Sequence, residues 1–344
     1  MNEFYTGTKL LSMRDLDNEK PELYICTSNR SAGKTTYFNR LCVNRFLDNN
    51  GKFGLIYRFD YELEDTADKF FKDIRGLFFQ GHDLTAKRRM KGKYYELFLD
   101  DKSCGYSFAL NNADQYKKYS HLFSDCQRLL FDEFQSETNH YCPDEVKKFI
   151  SLHTSIARGA GEQVRYVPVY MVANPVTILN PYYVEMDIST RLKEDTKFLK
   201  GHGFVLEQGF NEMASEAQKN SAFNRAFKSN EYVAYSTEAV YLNDNKAFIE
   251  KPEGSSRYVA TLKYKNNEYG IKEFAEQGFL YCDDKPDKTF PTKITTTTED
   301  HNVNYVMLKR NDFFISNLRF LFEKGCFRFK NMVCKEAVLS ALKY

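Results

Sequence analysis

Four side chains in this sequence have the types and spacing for phosphate chemistry: Lys34 and Thr35, directly after Gly33, and Asp132 and Glu133, closing an apolar run. The first pair ends the segment Ser28-Asn29-Arg30-Ser31-Ala32-Gly33-Lys34-Thr35-Thr36, which follows the apolar residues 23–26. A short strand, a small polar loop and a helix opening on Gly-Lys-Thr build a P-loop. Its backbone N–H groups and the helix N-terminus cradle phosphates, the lysine neutralises the outer ones, and the hydroxyl ligates Mg²⁺. Residues 28–36 are therefore the candidate nucleotide-binding loop, with Ser28 standing where the pattern has glycine. Gly-Lys-Ser/Thr by itself arises by chance in roughly one chain in five of this length. The strand before it and the helical spacing of Phe38, Leu41, Cys42 and Phe46 after it raise it to a motif.

A P-loop needs an acidic strand end, and Arg128-Leu129-Leu130-Phe131-Asp132-Glu133 supplies one. Asp132 would hold Mg²⁺ together with Thr35, and Glu133 would take the proton of the attacking water. The competing reading is two solvated acids after a buried strand. A glutamate in this place points to active hydrolysis, because slow GTPase switches position water with glutamine. Asn174, at the end of the apolar residues 167–173, is the candidate sensor of the γ-phosphate or its water; an asparagine turning the chain before Pro175 reads the same way. Arg158 closes a helical pattern just before Gly159 and Gly161. From the residues alone a C-terminal arginine favoured by the helix dipole leads, ahead of a finger on a neighbouring subunit's γ-phosphate. The densest basic run, Lys87-Arg88-Arg89 with Lys91 and Lys93, reads as a solvated loop or as a track for a nucleic-acid backbone.

The elements that must carry these residues alternate. Strands are predicted at 23–26, 53–58, 128–132, 167–173 and 204–207, with helices at 35–47 and 143–157 between them. That is the α/β pattern of a largely parallel sheet. A hairpin over 94–99 and 106–110 is expected to decorate it, and 211–230 reads as a short helical connector. Beyond it, strands at 257–264, 268–274, 278–282 and 291–298, turns at Asn266-Asn267 and Gln277-Gly278, and helices at 311–323 and from Asn331 make an α+β region. The expected division is residues 1–208, a P-loop ATPase domain; 209–234, a connector; and 235–344, a C-terminal domain.

Composition bounds the reading. A chain of 344 residues exceeds one ordinary core, and 42% hydrophobic with 28% charged residues is a globular composition. A formal net charge of +2 requires any nucleic-acid surface to be a local patch. The 30 Phe and 24 Tyr are read as core filling before base stacking. Eight scattered cysteines, with no C-x-x-C pair, argue against zinc or a disulfide framework and for a reducing compartment. The first 20 residues are polar with four acids, unlike a signal or transit peptide, and no apolar run is long enough to span a membrane, so a cytosolic protein is expected.

The order of these parts resembles the DNA-packaging (encapsidation) ATPases of φ29-like tailed bacteriophages, relatives of the terminase large subunit. The matching residues are Arg30 within the loop, Phe131 to Phe134, Asn174 followed by Asn180-Pro181-Tyr182-Tyr183, Phe223-Asn224-Arg225, Phe248 to Lys251, and Arg328 to Asn331. The resemblance implies an ASCE-type P-loop ATPase domain binding ATP and Mg²⁺, and a C-terminal domain of the RNase H-like nuclease fold. It implies a homomeric ring, a pentamer, at the capsid portal (the connector of the capsid), driving double-stranded DNA inward. A structural packaging RNA is a partner in φ29-like phages, and the expected place is the host cytoplasm, transiently at the portal vertex. It carries the family's trans-acting arginine onto Arg158, and a trans-acting lysine onto Lys117 or Lys118. A working nuclease of this type needs several carboxylates converging on two metals. The strand 257–264 has none and Asp283-Asp284 is an isolated pair, so the domain reads as a vestigial nuclease used for docking and DNA grip. The alternatives are a helicase-like or partitioning P-loop ATPase, an ATPase-linked nuclease, and a non-hydrolysing scaffold, the last opposed by Glu133.

Overall fold

The computed structural model describes residues 5–158, 163–189, 191–192, 196–228, 230–238, 241 and 247–342. The chain forms two compact units: residues 1–135, 145–175 and 192–240, and residues 136–144, 176–191 and 241–344. Consecutive domains were expected. Instead the segments 136–144 and 176–191 belong to the second unit, and the connector belongs to the first.

The first unit is built on nine strands: β1 (Leu23–Ser28), β2 (Lys52–Tyr57), β3 (Leu84–Arg89), β4 (Tyr94–Leu99), β5 (Lys102–Ala109), β6 (Cys126–Asp132), β7 (Val169–Ala173), β8 (Phe198–Gly201) and β9 (Phe204–Gly209). Their order is β3-β4-β5-β2-β6-β7-β1-β9-β8. The six strands from β5 to β9 are mutually parallel, while β3, β4 and β8 add antiparallel edges. The central strands read as near-continuous apolar runs because both faces are covered; all of Val169–Ala173 is buried. The helix Lys34–Asn49 lays Phe38, Cys42, Val43 and Phe46 on the sheet at helical spacing. It stops where Asn50 turns left-handed, its N–H donating to the Phe46 carbonyl at 2.8 Å.

Three expectations change here. The hairpin does not decorate the sheet: β5 pairs with β2, Phe53 opposite Gly105, and so belongs to the parallel core. The basic run is not a loop, since Lys87, Arg88 and Arg89 lie on the edge strand β3. Arg89 pairs with Glu96 at 2.7 Å and Lys87 lies 4.3 Å over the Phe98 ring. Charge on an edge strand discourages pairing with other chains, a sufficient physical reason for the run. The connector is three helices, Glu212–Lys219, Ala222–Ala226 and Glu231–Glu238.

The second unit carries β10 (Arg257–Tyr264), β11 (Asn267–Phe274), β12 (Phe279–Asp283), β13 (Lys293–Thr295) and β14 (Phe327–Phe329), in the order β13-β10-β11-β12-β14. The hairpin turn is Lys265-Asn266, both left-handed, one residue earlier than expected. Of the strand predicted over 291–298, three residues pair. The helices Phe313–Glu323 and Met332–Leu342 close a core that includes Leu262, Ile271, Cys282, Phe322 and Phe329.

Candidate active site

The parallel register brings the carboxyl ends of β1, β7 and β6 level. Cys26 and Asp132 both align with Val172, so Ser28, Asn174 and Glu133 emerge side by side. The strand bearing Asn174 lies between the strand leading to Lys34 and the strand ending on Asp132. Ser28 is still extended strand and buried, its hydroxyl donating to the Asn29 carbonyl at 3.3 Å. The backbone therefore needs no glycine at that position. The left-handed turns come later, at Ser31 (φ 61°) and Gly33 (φ 93°), and only at Gly33 does the residue type suit the angle freely. Gly33 caps the helix Lys34–Asn49, whose first N–H groups lie free of intrahelical partners at the loop.

Lys34 is buried and already coordinated: its Nζ donates to Asn174 Oδ1 at 2.7 Å and to the Ser28 carbonyl at 3.2 Å. Burial depresses its pKa, and Asp132 opposes that shift most among its charged neighbours. Asp132 is pushed up to about 6 by burial and then by Glu133, against the pull of Lys34 and a hydrogen bond from Thr35. The amine and the two carboxylates thus face one site. Thr35 and Asp132 form a hydroxyl–carboxylate pair of hard oxygen donors, with the carboxylate destabilised by burial and by Glu133. Such a pair fits Mg²⁺. A cavity of about 320 Å³ opens beside them, lined also by Glu133, Arg58 and Glu62.

Glu133 is exposed, with φ at 56°, a left-handed angle that costs a non-glycine residue about 1–3 kcal/mol and recurs at functional sites. Its N–H donates to Asp132 Oδ1 at 3.0 Å. The turn that follows is held by Arg58, whose guanidinium donates to the Phe134 carbonyl at 2.8 Å and pairs with Glu145 through Nε at 2.8 and 3.1 Å. Neither Arg58 nor Glu145 was singled out in the sequence. The available signal was slight: an arginine ending an apolar strand pattern, and a glutamate opening a helix.

The other loop residues face the connector. Asn29 is fully buried, donating to the Asn211 carbonyl at 3.1 Å and accepting its N–H at 2.9 Å. Arg30 lies over the rings of Tyr232 and Tyr235, 5.1 and 5.9 Å away, rather than in solvent. Ser31 accepts from Gln218 at 2.7 Å. The buried Ala32 accepts the Tyr5 N–H at 2.9 Å, and Thr36 is half-buried in the first helical turn.

Arg158 is exposed beyond the helix Glu145–Ile156; Gly159 and Gly161 lie outside the described residues. Arg165 ties the end of that helix to the Cys126 carbonyl at 3.3 Å and the Ile156 carbonyl at 2.6 Å, at the amino end of β6. Asp132 is at the other end of that strand, six residues on from Cys126, or roughly 20 Å at 3.3 Å per residue. Arg158 is therefore not brought to its own chain's site. Lys117 and Lys118 are exposed, Lys117 pairing with Asp114 at 3.2 Å.

A family model described as Podovirus DNA encapsidation protein (Gp16) matches residues 2–343. The DNA packaging protein of Bacillus phage phi29 is 25% identical over 336 residues, 96% of this chain and 95% of the relative. Among solved structures, a chain of the bacteriophage Phi-29 viral genome packaging motor assembly superposes with a TM-score of 0.56 at 22% identity, covering 96% of both chains. The Phi-28 gp11 DNA packaging motor superposes with a TM-score of 0.59 at 18% identity, covering 100% of this chain and 99% of its own. At these identities the structural likeness is one of fold.

Proposed function

This chain belongs to the Podovirus DNA encapsidation protein (Gp16) family, and on that premise we propose that it is the ATP-hydrolysing subunit of a DNA-packaging motor. The observation that carries the proposal is the convergence of Lys34, Asn174, Asp132 and Glu133 at the ends of three adjacent parallel strands. Open α/β sheets bind ligands at that edge.

In this reading, ATP takes over the contacts the loop now makes with itself. The Lys34 amine passes from Asn174 and the Ser28 carbonyl to the outer phosphates, and the amides from Arg30 to Lys34 surround them. Thr35 and Asp132 would hold Mg²⁺, which supplies charge neutralisation at the phosphate oxygens. Glu133 accepts a proton from the attacking water as its oxygen bonds to the γ-phosphorus and ADP departs. Asn174, released from Lys34, orients the γ-phosphate or the water. Arg158 completes the site of a neighbouring subunit, with Lys117 or Lys118 beside it. That role requires a homomeric ring, read as a pentamer.

The ring's partners would be double-stranded DNA, the capsid portal and a structural packaging RNA, engaged transiently at the portal from the host cytoplasm. Grip falls on DNA phosphates, because packaging is indifferent to sequence. The C-terminal unit is read as an RNase H-like nuclease relic. Its two adjacent acids are each engaged by lysine, Asp283 by Lys272 and Asp284 by Lys330, both at 2.6 Å, which weighs against a two-metal cutting site.

The test is ATP turnover with and without duplex DNA in the full chain and in Glu133→Gln. The expected result is DNA-stimulated turnover in the wild type, with nucleotide binding kept and turnover lost in the variant. Wild-type turnover indifferent to DNA, or an active variant, would overturn the reading.

A further inference from the structure

Arg58 bridges a buried carboxylate and the backbone of the turn that carries Glu133. It directly follows the strand β2, is 8% exposed, and lies 5.8 Å over the Phe131 ring. Its Nε engages both oxygens of Glu145, which is fully buried. That leaves the far edge of the guanidinium for the backbone. The Phe134 carbonyl accepts from it at 2.8 Å, and the Glu133 carbonyl lies 3.5 Å from both terminal nitrogens. A guanidinium is the one side chain that can engage a carboxylate on one edge and a peptide carbonyl on another in a fixed plane. Glu133 itself has a left-handed backbone and an exposed carboxylate. Nothing in its own side chain fixes where that carboxylate points.

We propose that Arg58 is a positioning residue for Glu133. Oriented by Glu145, it pins the carbonyls after the strand β6 and so fixes the left-handed turn that aims the Glu133 carboxylate into the cavity. The pair joins residues 87 apart in sequence and ties the catalytic turn to the helix Glu145–Ile156. The inference rests on Glu133 being the general base.

The experiment is a double-mutant cycle on the full chain with duplex DNA, measuring kcat and KM for ATP, and the affinity for a fluorescent ATP analogue. Arg58→Lys keeps the charge but cannot hold both partners. It should lower kcat about 100-fold, the scale expected for an ångström of misplacement, with KM and analogue affinity unchanged. Glu145→Gln, nearly isosteric, should lower kcat in the same direction and serves if the Arg58 variant is insoluble. In a Glu133→Gln background, Arg58→Lys should leave the small residual rate, read as phosphate release at high enzyme concentration over hours, unchanged. Unchanged kcat in a folded Arg58 or Glu145 variant, a loss expressed in KM or affinity, or an additive loss in the double variant would each overturn the proposal. If Glu133→Gln alone keeps full turnover, the base assignment fails first, and the two failures are told apart.

Discussion

At the scale of the residue, the site stores electrostatic cost. Burial and the neighbouring Glu133 raise Asp132 to about 6. A carboxyl whose folded-state pKa lies above its unfolded value opposes folding when ionised. That penalty is absent below the unfolded pKa of about 4, grows as pH rises between the two values, and is fully present above about 6. Asp132→Asn removes it. At pH 7.5 the nucleotide-free variant should be more stable by about 1–2 kcal/mol in urea unfolding, after allowance for partial solvent screening. It should also hydrolyse no ATP. A variant no more stable than the wild type would show that Lys34 already offsets the charge. The same trade shows at Glu133, where a left-handed backbone is tolerated at the place where the chemistry is proposed.

At the scale of the element, the parallel sheet decides which strand ends meet. The strand β2, whose end delivers Arg58, is held between β5 and β6. The pairing with β5 depends on close approach at Gly105, where an added Cβ would lie 2.1 Å from the Phe53 carbonyl oxygen. Gly105→Ala should push the two strands apart and cost about 1–3 kcal/mol of stability, the range for overpacking a close contact. Thermal unfolding of the variant checks it, and an unchanged Tm would mean that β5 shifts freely. The alternation of β4 and β5 marked a hairpin in the sequence, but not where it docks. Parallel pairing partners come from distant chain segments, and no local pattern names them. The edge strand β3 reads locally as a basic loop for another reason: at the edge of the sheet its Lys87, Arg88 and Arg89 carry charge instead of an apolar run. The connector read as short and helical, and its three contacts with Asn29, Arg30 and Ser31 came only from the folded chain.

At the scale of the whole molecule, one site residue stands apart. Arg158 follows the helix end that Arg165 ties to the amino end of β6, whereas Asp132 closes the opposite end of that strand. A catalytic role for Arg158 is then a role in another subunit. Arg158→Ala alone should abolish turnover, as should Lys34→Ala alone. Mixtures of the two inactive proteins should regain a fraction, because some interfaces would pair an intact loop with an intact arginine. Mixtures inactive at every ratio would sink the trans assignment. The two units exchange chain segments, so the protein is not a motor domain simply followed by a tail.

Sequence alone singled out the candidate chemistry-bearing parts: the loop from Ser28 to Thr36, the acidic strand end at Asp132 and Glu133, the polar stop at Asn174 and the alternation that carries them. These are legible because a P-loop is a local object, a strand, a turn and a helix start within some fifteen residues. Tertiary structure alone decided that Ser28 needs no glycine, that Lys34 rests on Asn174, that Arg30 lies over two tyrosines, and that Arg58 with Glu145 holds the turn after Asp132. Each of these joins side chains far apart in the chain or depends on a backbone angle, and neither is written in residue spacing.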